Sequence, residues 1–329
     1  MENEGLSPNG VTYLSILKAC GNIGAIEKGK QIHDQIRSRN LLEKDIVLGN
    51  AVVDMYAKCG ILGKAQKALE DLSNRNVITW STLISGYVQH GQSHEALESF
   101  KRMQNEGLSP DAITFICILK ACGSMGAIDK GKQIHDEVVS RKLLEKNVVL
   151  GTALVDMYAR CGMLEKARKV LEELHLRDVI AWSALIAGYA QQGQGHEALK
   201  CLKHMESEGI SPDSITLLCV LSACAHSGLV NDAKMLFEVM TTKYCISPNL
   251  EHLNCMVVVF GCGGQFDKAV SIIKAMPFFE YSAIWISLLG ACRKWGNVEL
   301  GRLSFDQAIQ LDNNGATTYV LMVDTFWKC

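Results

Sequence analysis

Apolar residues recur along this chain in stripes of helical period, interrupted at short intervals by glycine and by Ser-Pro pairs. Within Val77–Asp111, Trp80, Leu83, Ile84, Tyr87 and Val88 fall on one helical face, and Ala96, Leu97, Phe100 and Met103 on a second. Gly91 lies between the stripes, Ser93 is placed to cap the second helix, and Gly107 followed by Pro110 ends it. The segment therefore reads as two helices joined by a tight turn. Neither helix can bury its stripe alone, so such segments must stack on their neighbours as a solenoid with a concave face. No strand-like alternation competes with this reading.

The pattern repeats. GLSPNGVTYLSILKACGNIGAIEKGKQIHDQIRSRNLLEKD from Gly5 returns as GLSPDAITFICILKACGSMGAIDKGKQIHDEVVSRKLLEKN from Gly107 and, more loosely, as GISPDSITLLCVLSACAHSGLVNDAKMLFEVM from Gly209, at a spacing of 102 residues. Each block divides into units of 36, 31 and 35 residues: 10–45, 46–76 and 77–111, then 112–147, 148–178 and 179–213. The predicted fold is all-α, a right-handed α-solenoid (superhelix) of paired antiparallel helices.

Composition narrows the function classes. Of 329 residues, 48% are hydrophobic and 21% charged, enough apolar material for a large folded body. No run of apolar residues is long enough to span a membrane, so no membrane partner is expected. The amino terminus MENEGLSPNG lacks the marks of a signal or transit peptide. The thirteen cysteines are scattered through apolar runs, which points to reduced, buried thiols. A net charge of −2 counts mildly against nucleic-acid binding through a uniformly basic surface. No nucleophile, base and oxyanion arrangement is visible, and no C-x-x-C pair, so no catalytic residue, metal or cofactor is assigned.

Several strings carry a resemblance. VITWSTLISGYVQHGQSHEALESFKRMQNEGLSPD, NAVVDMYAKCG, TALVDMYARCG and IAWSALIAGYAQQGQGHEALKCLKHM resemble plant pentatricopeptide-repeat proteins of the PLS subclass, whose L, S and P repeats follow the same order of lengths. Residues 214–249 then resemble a further L repeat and 250–281 a final S repeat. Residues 282–315, with IWISLLGACRKWGNVELG, resemble the first E motif, and 316–329 open a second. On this resemblance residues 1–9 end a P repeat, and the chain is expected to be truncated at both ends. Editing members of the family often continue into a zinc deaminase marked by H-x-E and P-C-x-x-C. The P-C-x-x-C element does not occur here, and His94-Glu95 and His196-Glu197, adjacent pairs with the wrong spacing, read as solvated starts of second helices.

The resemblance implies an RNA-binding chain in which the fifth residue of a repeat and its last residue meet the Watson–Crick edge of one base. A terminal Asp only accepts hydrogen bonds and suits G or U; a terminal Asn can donate and suits A or C. Carried over, Asn50 with Asn76 implies a pyrimidine, C favoured, whereas Ser81 with Asp111, Thr152 with Asp178 and Ser183 with Asp213 each imply G. The L repeats present Leu14, Ile116 and Leu218 and receive no base. Asn254 implies a pyrimidine, with Tyr281 at the partner position. Lys58 and Arg160, at matching places in two S repeats, are candidate phosphate contacts. Trp80 and Trp182 lie beside the readers but continue the buried stripes and read as core. The implied partners are single-stranded RNA and, at the carboxy-terminal E region, a trans-acting deaminase or editing factor. The implied location is a mitochondrion or chloroplast. A protein-binding scaffold of the tetratricopeptide kind, and a degenerate fragment that binds RNA weakly, remain open alternatives.

Overall fold

The computed structural model describes residues 8–43, 45–145, 147–275, 282–311 and 316–326, with side chains omitted at 316, 317 and 324–326. These residues form nineteen α-helices, and no strand occurs among them. The chain divides into two compact units, Met1–His175 and Leu176–Cys329.

The first unit holds α1 (Gly10–Ile23), α2 (Ile26–Ser38), α3 (Ile46–Lys58), α4 (Leu62–Glu70), α5 (Val77–Gln89), α6 (Ser93–Asn105), α7 (Ala112–Met125), α8 (Ile128–Ser140), α9 (Val148–Arg160) and α10 (Leu164–Glu173). Each odd helix pairs with the even helix that follows it. Odd helices also pack on one another in series, α1 on α3, α3 on α5, α5 on α7 and α7 on α9, and each even helix leans on the next odd one. The odd helices thus form the continuous layer, which is why they are apolar around most of their circumference while the even helices are amphipathic. In α5, Trp80, Leu83 and Ile84 are fully buried, and on the facing stripe of α6 so are Ala96, Phe100 and Met103. Gly86 permits the close approach of α5 to α3: a Cβ there would stand 2.7 Å from the Cβ of Ala57.

The second unit repeats the plan with α11 (Val179–Gln191), α12 (Gly195–Ser207), α13 (Ser214–Ser227), α14 (Val230–Thr242), α15 (Leu250–Cys262), α16 (Phe266–Ala275), α17 (Ser282–Trp295), α18 (Val298–Leu311) and α19 (Ala316–Phe326). Here α11, α13, α15, α17 and α19 stack in series. Gly228 ends α13 in the left-handed conformation at φ 69°, a turn that a side chain would strain.

Two sequence expectations need correction. Ser93 does not cap α6: Gln92 holds the cap position without a side-chain bond, and Ser93 is the first helical residue, buried, with its Oγ 2.7 Å from that of Ser124. Stacking has thus taken the hydroxyl that a helix start would otherwise use. Among the described residues the thiols are free, but not all are buried. Cys245 is exposed, and Cys59, Cys161, Cys219, Cys255 and Cys262 are half-buried. Among the interior ones, burial pushes the Cys122 thiol up to about 11 and those of Cys224 and Cys292 up to about 12, so they stay protonated near neutrality.

Candidate nucleic-acid interface

The four candidate closing residues prove to be helix caps. Asn76, Asp111, Asp178 and Asp213 all have extended backbones, and each side chain accepts a hydrogen bond from the backbone N–H three residues on. For Asp111 and Asp213 that bond is 2.8 Å long and ends on Oδ1, as does one from the hydroxyl of Thr114 or Thr216 at 2.7 Å. Asn76 is held in the same way by Thr79 N–H and hydroxyl, both at 3.0 Å. With Oδ1 turned to the helix, the other atom of the fork faces away. It is an acceptor Oδ2 in Asp111 and Asp213 and a donor Nδ2 in Asn76. The cap therefore converts the Asp/Asn difference into an acceptor/donor difference at one place.

The fifth residues stand one turn into α3, α5, α9 and α11, each on the odd helix that precedes the one its partner caps. Ser81, Thr152 and Ser183 are largely buried, and each returns its hydroxyl to a backbone carbonyl: Ser81 to Ile78 at 3.1 Å, Thr152 to Val148 at 3.1 Å and Ser183 to Val179 at 2.7 Å. Asn50 is half-buried on α3, and its Oδ1 accepts from Thr79 Oγ1 at 2.6 Å. Asn254 is half-buried on α15, and its Oδ1 is enclosed without a hydrogen-bond partner. Tyr281 lies outside the described residues. Thr152 and Asp178 belong to different compact units, so the structure describes each on its own helix.

Ser81 and Asp111 come together in a cleft of about 400 Å³, lined also by Ile78, Ile113, Lys58 and Asp54. Both halves of one candidate reader pair thus share an opening with a candidate phosphate contact. Lys58 is not a lone cation: its Nζ lies 2.8 Å from Asp54 Oδ2 one turn back. Arg160 is paired likewise with Asp156 at 2.9 Å, and it lines a different groove, beside Lys120, Ser124, Gln92 and His94, with no candidate reader residue in it. These half-exposed pairs add little stability and could exchange partners for a phosphate.

One feature escaped the sequence reading. The second residue of successive odd helices is a β-branched aliphatic left in solvent: Val11, Val47, Ile78, Ile113 and Val149 in the first unit, 52–71% exposed, and Ile180 and Ile215 in the second, both 63%. Core formation does not account for a row of exposed apolar residues in fixed register, and Ile78 and Ile113 bracket the Ser81–Asp111 cleft. The signal was present in the sequence as Val or Ile immediately after each first helical residue, but such residues blend into the buried stripe. Trp80 and Trp182, by contrast, are core. They are 0% and 4% exposed, and their indole N–H groups donate to Glu106 at 2.8 Å and Glu208 at 3.3 Å.

Comparison with known proteins agrees with this architecture. The profile described as PPR repeat family matches residues 75–124 and 177–226, and the PPR repeat profile matches 11–41, 152–179, 215–245 and 251–279; together they cover more than half of the chain. Among Arabidopsis thaliana proteins, the chain is 36% identical over 99% of its length to pentatricopeptide repeat-containing protein CRR2, chloroplastic, covering 50% of that protein. It is 35% identical over 99% of its length to a pentatricopeptide repeat-containing protein named as mitochondrial, covering 58% of it. The chain thus spans about half the length of the curated relatives it matches. Among solved structures it is similar to the pentatricopeptide repeat protein PPR10 in complex with an 18-nt psaJ RNA element, with a TM-score of 0.82, 18% identity, and coverage of 100% of this chain and 49% of that one. An all-α solenoid built from these repeats, matched by both repeat profiles, places the chain in the family of pentatricopeptide-repeat proteins.

Proposed function

We propose that this chain binds single-stranded RNA base by base, each reader pair addressing one nucleotide. The observation that carries the reading is the Ser81–Asp111 cleft, where an acceptor from the cap, a short polar side chain, two exposed isoleucines and a lysine converge. Exposed aliphatic residues on either side suit the faces of a base, the polar pair suits its edge, and Lys58 suits the backbone phosphate. The RNA-bound state of PPR10, which shares the fold, supports the same reading. Affinity then comes from many modest contacts and depends on how many repeats engage, in keeping with a net charge of −2.

In the finer reading, the 36-, 31- and 35-residue units are L, S and P repeats and residues 282–329 belong to an E region. The chain then acts as a specificity factor for organellar RNA processing such as C-to-U editing, the deaminase being supplied by another protein. Relatives named as chloroplastic and mitochondrial support the organelle, and the exposed Leu303, Tyr319, Val320 and Val323 on α18 and α19 support a protein partner there. The test is anisotropy titration of the purified chain with short RNAs differing at one nucleotide, at one fixed salt concentration. Binding is expected to favour G opposite Ser183–Asp213 and Ser81–Asp111, and C opposite Asn50–Asn76. Equal affinity for every base at all three places would defeat this reading and leave a protein-binding scaffold.

A further inference from the structure

Two of the reader pairs are joined through a residue that belongs to neither reader position. It is the threonine three residues after the cap, in the first turn of the next odd helix. In the second unit, Thr216 is fully buried, with its Oγ1 2.7 Å from Asp213 Oδ1 and 2.7 Å from Ser183 Oγ. The two hydroxyls have one hydrogen each, and the carboxylate has none to give. Thr216 therefore donates to Asp213, and Ser183 donates either to the Val179 carbonyl at 2.7 Å or to Thr216. No hydroxyl hydrogen is left to point outward. The pair presents a lone pair on Ser183 Oγ and the free Oδ2 of Asp213, that is, two acceptors. Among the RNA bases, guanine alone sets two donors side by side on its Watson–Crick edge, N1–H and the exocyclic amine.

The first unit uses the same residue to the opposite effect. Thr79, also fully buried, has one hydroxyl hydrogen for two amide oxygens and shares it in a three-centre bond between Asn50 Oδ1 at 2.6 Å and Asn76 Oδ1 at 3.0 Å. Both amides thereby turn their oxygens inward and their NH₂ groups the other way, so the pair presents donors. Cytosine is the base that sets two acceptors side by side, N3 and O2. Ser81–Asp111 follows the acceptor pattern: Thr114 donates to Asp111 at 2.7 Å, and Ser81 donates to Ile78 at 3.1 Å. Asn254 shows the consequence of losing the hydroxyl. The third residue of α17 is Ile284, 2% exposed, and Asn254 Oδ1 is buried with nothing to accept from.

We propose that this buried threonine is a positioning residue that fixes the hydrogen-bond polarity of the reader pair before it, setting Ser183–Asp213 as a double acceptor for guanine and Asn50–Asn76 as a double donor for cytosine. The inference rests on the base-reading function proposed above and adds the residue that orients the readers.

The experiment is RNA binding by Thr216→Val, Thr216→Ser and Asp213→Asn, measured for G, A and U at the nucleotide opposite Ser183–Asp213. Thr216→Val keeps the volume and removes the hydroxyl, so the preference for G over A and U should fall about tenfold, the scale of one matched polar contact, with preferences elsewhere unchanged. Thr216→Ser restores the hydroxyl and should keep the wild-type preference. Thr79→Val provides a second measurement, with loss of the preference for C over U opposite Asn50–Asn76. If Asp213→Asn shifts base preference while neither valine variant does, the proposal is overturned. It is overturned equally if the valine variants weaken all bases alike, since the threonine is then only a cap. If Asp213→Asn itself leaves the preferences untouched, base reading fails and this inference falls with it.

Discussion

Asn50 in the first unit and Asn254 in the second hold the same place in their repeats, on odd helices of the same length, yet their surroundings are opposite. Asn50 Oδ1 accepts a 2.6 Å bond from Thr79, whereas Asn254 Oδ1 is buried without a partner because Ile284 stands where the threonine would be. On the proposed base-reading role, the two asparagines therefore differ in whether the following helix brings a hydroxyl to orient the amide, and a buried amide without that partner is a liability of about 1–3 kcal/mol.

The largest expected effect comes from making the second unit resemble the first. Asp213→Asn keeps Oδ1 on the helix cap and replaces the outward Oδ2 with a donor, so Ser183 and residue 213 would present one acceptor and one donor. Preference at that nucleotide should move from G toward A by about 1–3 kcal/mol, read as the ratio of dissociation constants for RNAs differing only there. Helicity and melting temperature should change little, since Asn caps about as well as Asp.

A smaller effect tests the two asparagines directly. Asn254→Leu removes an unpartnered buried carbonyl and should stabilise the chain by about 1 kcal/mol in urea unfolding. Asn50→Leu deletes the acceptor of Thr79 and should be neutral to destabilising by a similar amount, besides abolishing the preference for C at its nucleotide. Equal shifts for the two variants would remove the distinction.

The smallest effect concerns even helices. In the first unit His33 and His135 meet the hydroxyls of Tyr56 and Tyr158 at 3.1 and 2.9 Å; 102 residues further on, the second unit has Phe237 and Phe260 instead. Burial holds both imidazoles below the usual histidine range, with nearby Lys166 acting in the same direction on His135. A base depressed in the folded state stabilises above its unfolded value and loses that contribution as pH falls through the lowered one. Thermal melts at pH 7 and pH 5 should therefore show acid destabilisation in the wild type and less of it in His33→Phe/His135→Phe. An unchanged pH dependence in the double variant would assign the acid sensitivity to other groups.

Much of this was readable in advance. The alternation of stripes and breakers located α5 and α6 within Val77–Asp111, and Trp80 and Trp182 were correctly placed in the core. Ser93 departs from its expected cap role because its short polar side chain suits a helix cap and a helix–helix contact equally, and only the neighbouring α7 decides between them. The exposed row from Val11 to Ile215 was missed because hydropathy records that a residue is apolar, not which way it faces.

What the sequence by itself determined is local: helix period, repeat length, and the Asp or Asn that caps the odd helices from α1 to α15 by bonding up to three residues ahead. These follow from near-neighbour geometry that any segment of this pattern would adopt. What only the tertiary structure decided is the direction of the hydrogen bonds at the candidate reader residues. Thr79 reaches Asn50 across 29 residues and Thr216 reaches Ser183 across 33, and those contacts exist because consecutive odd helices stack closely enough to share a hydroxyl.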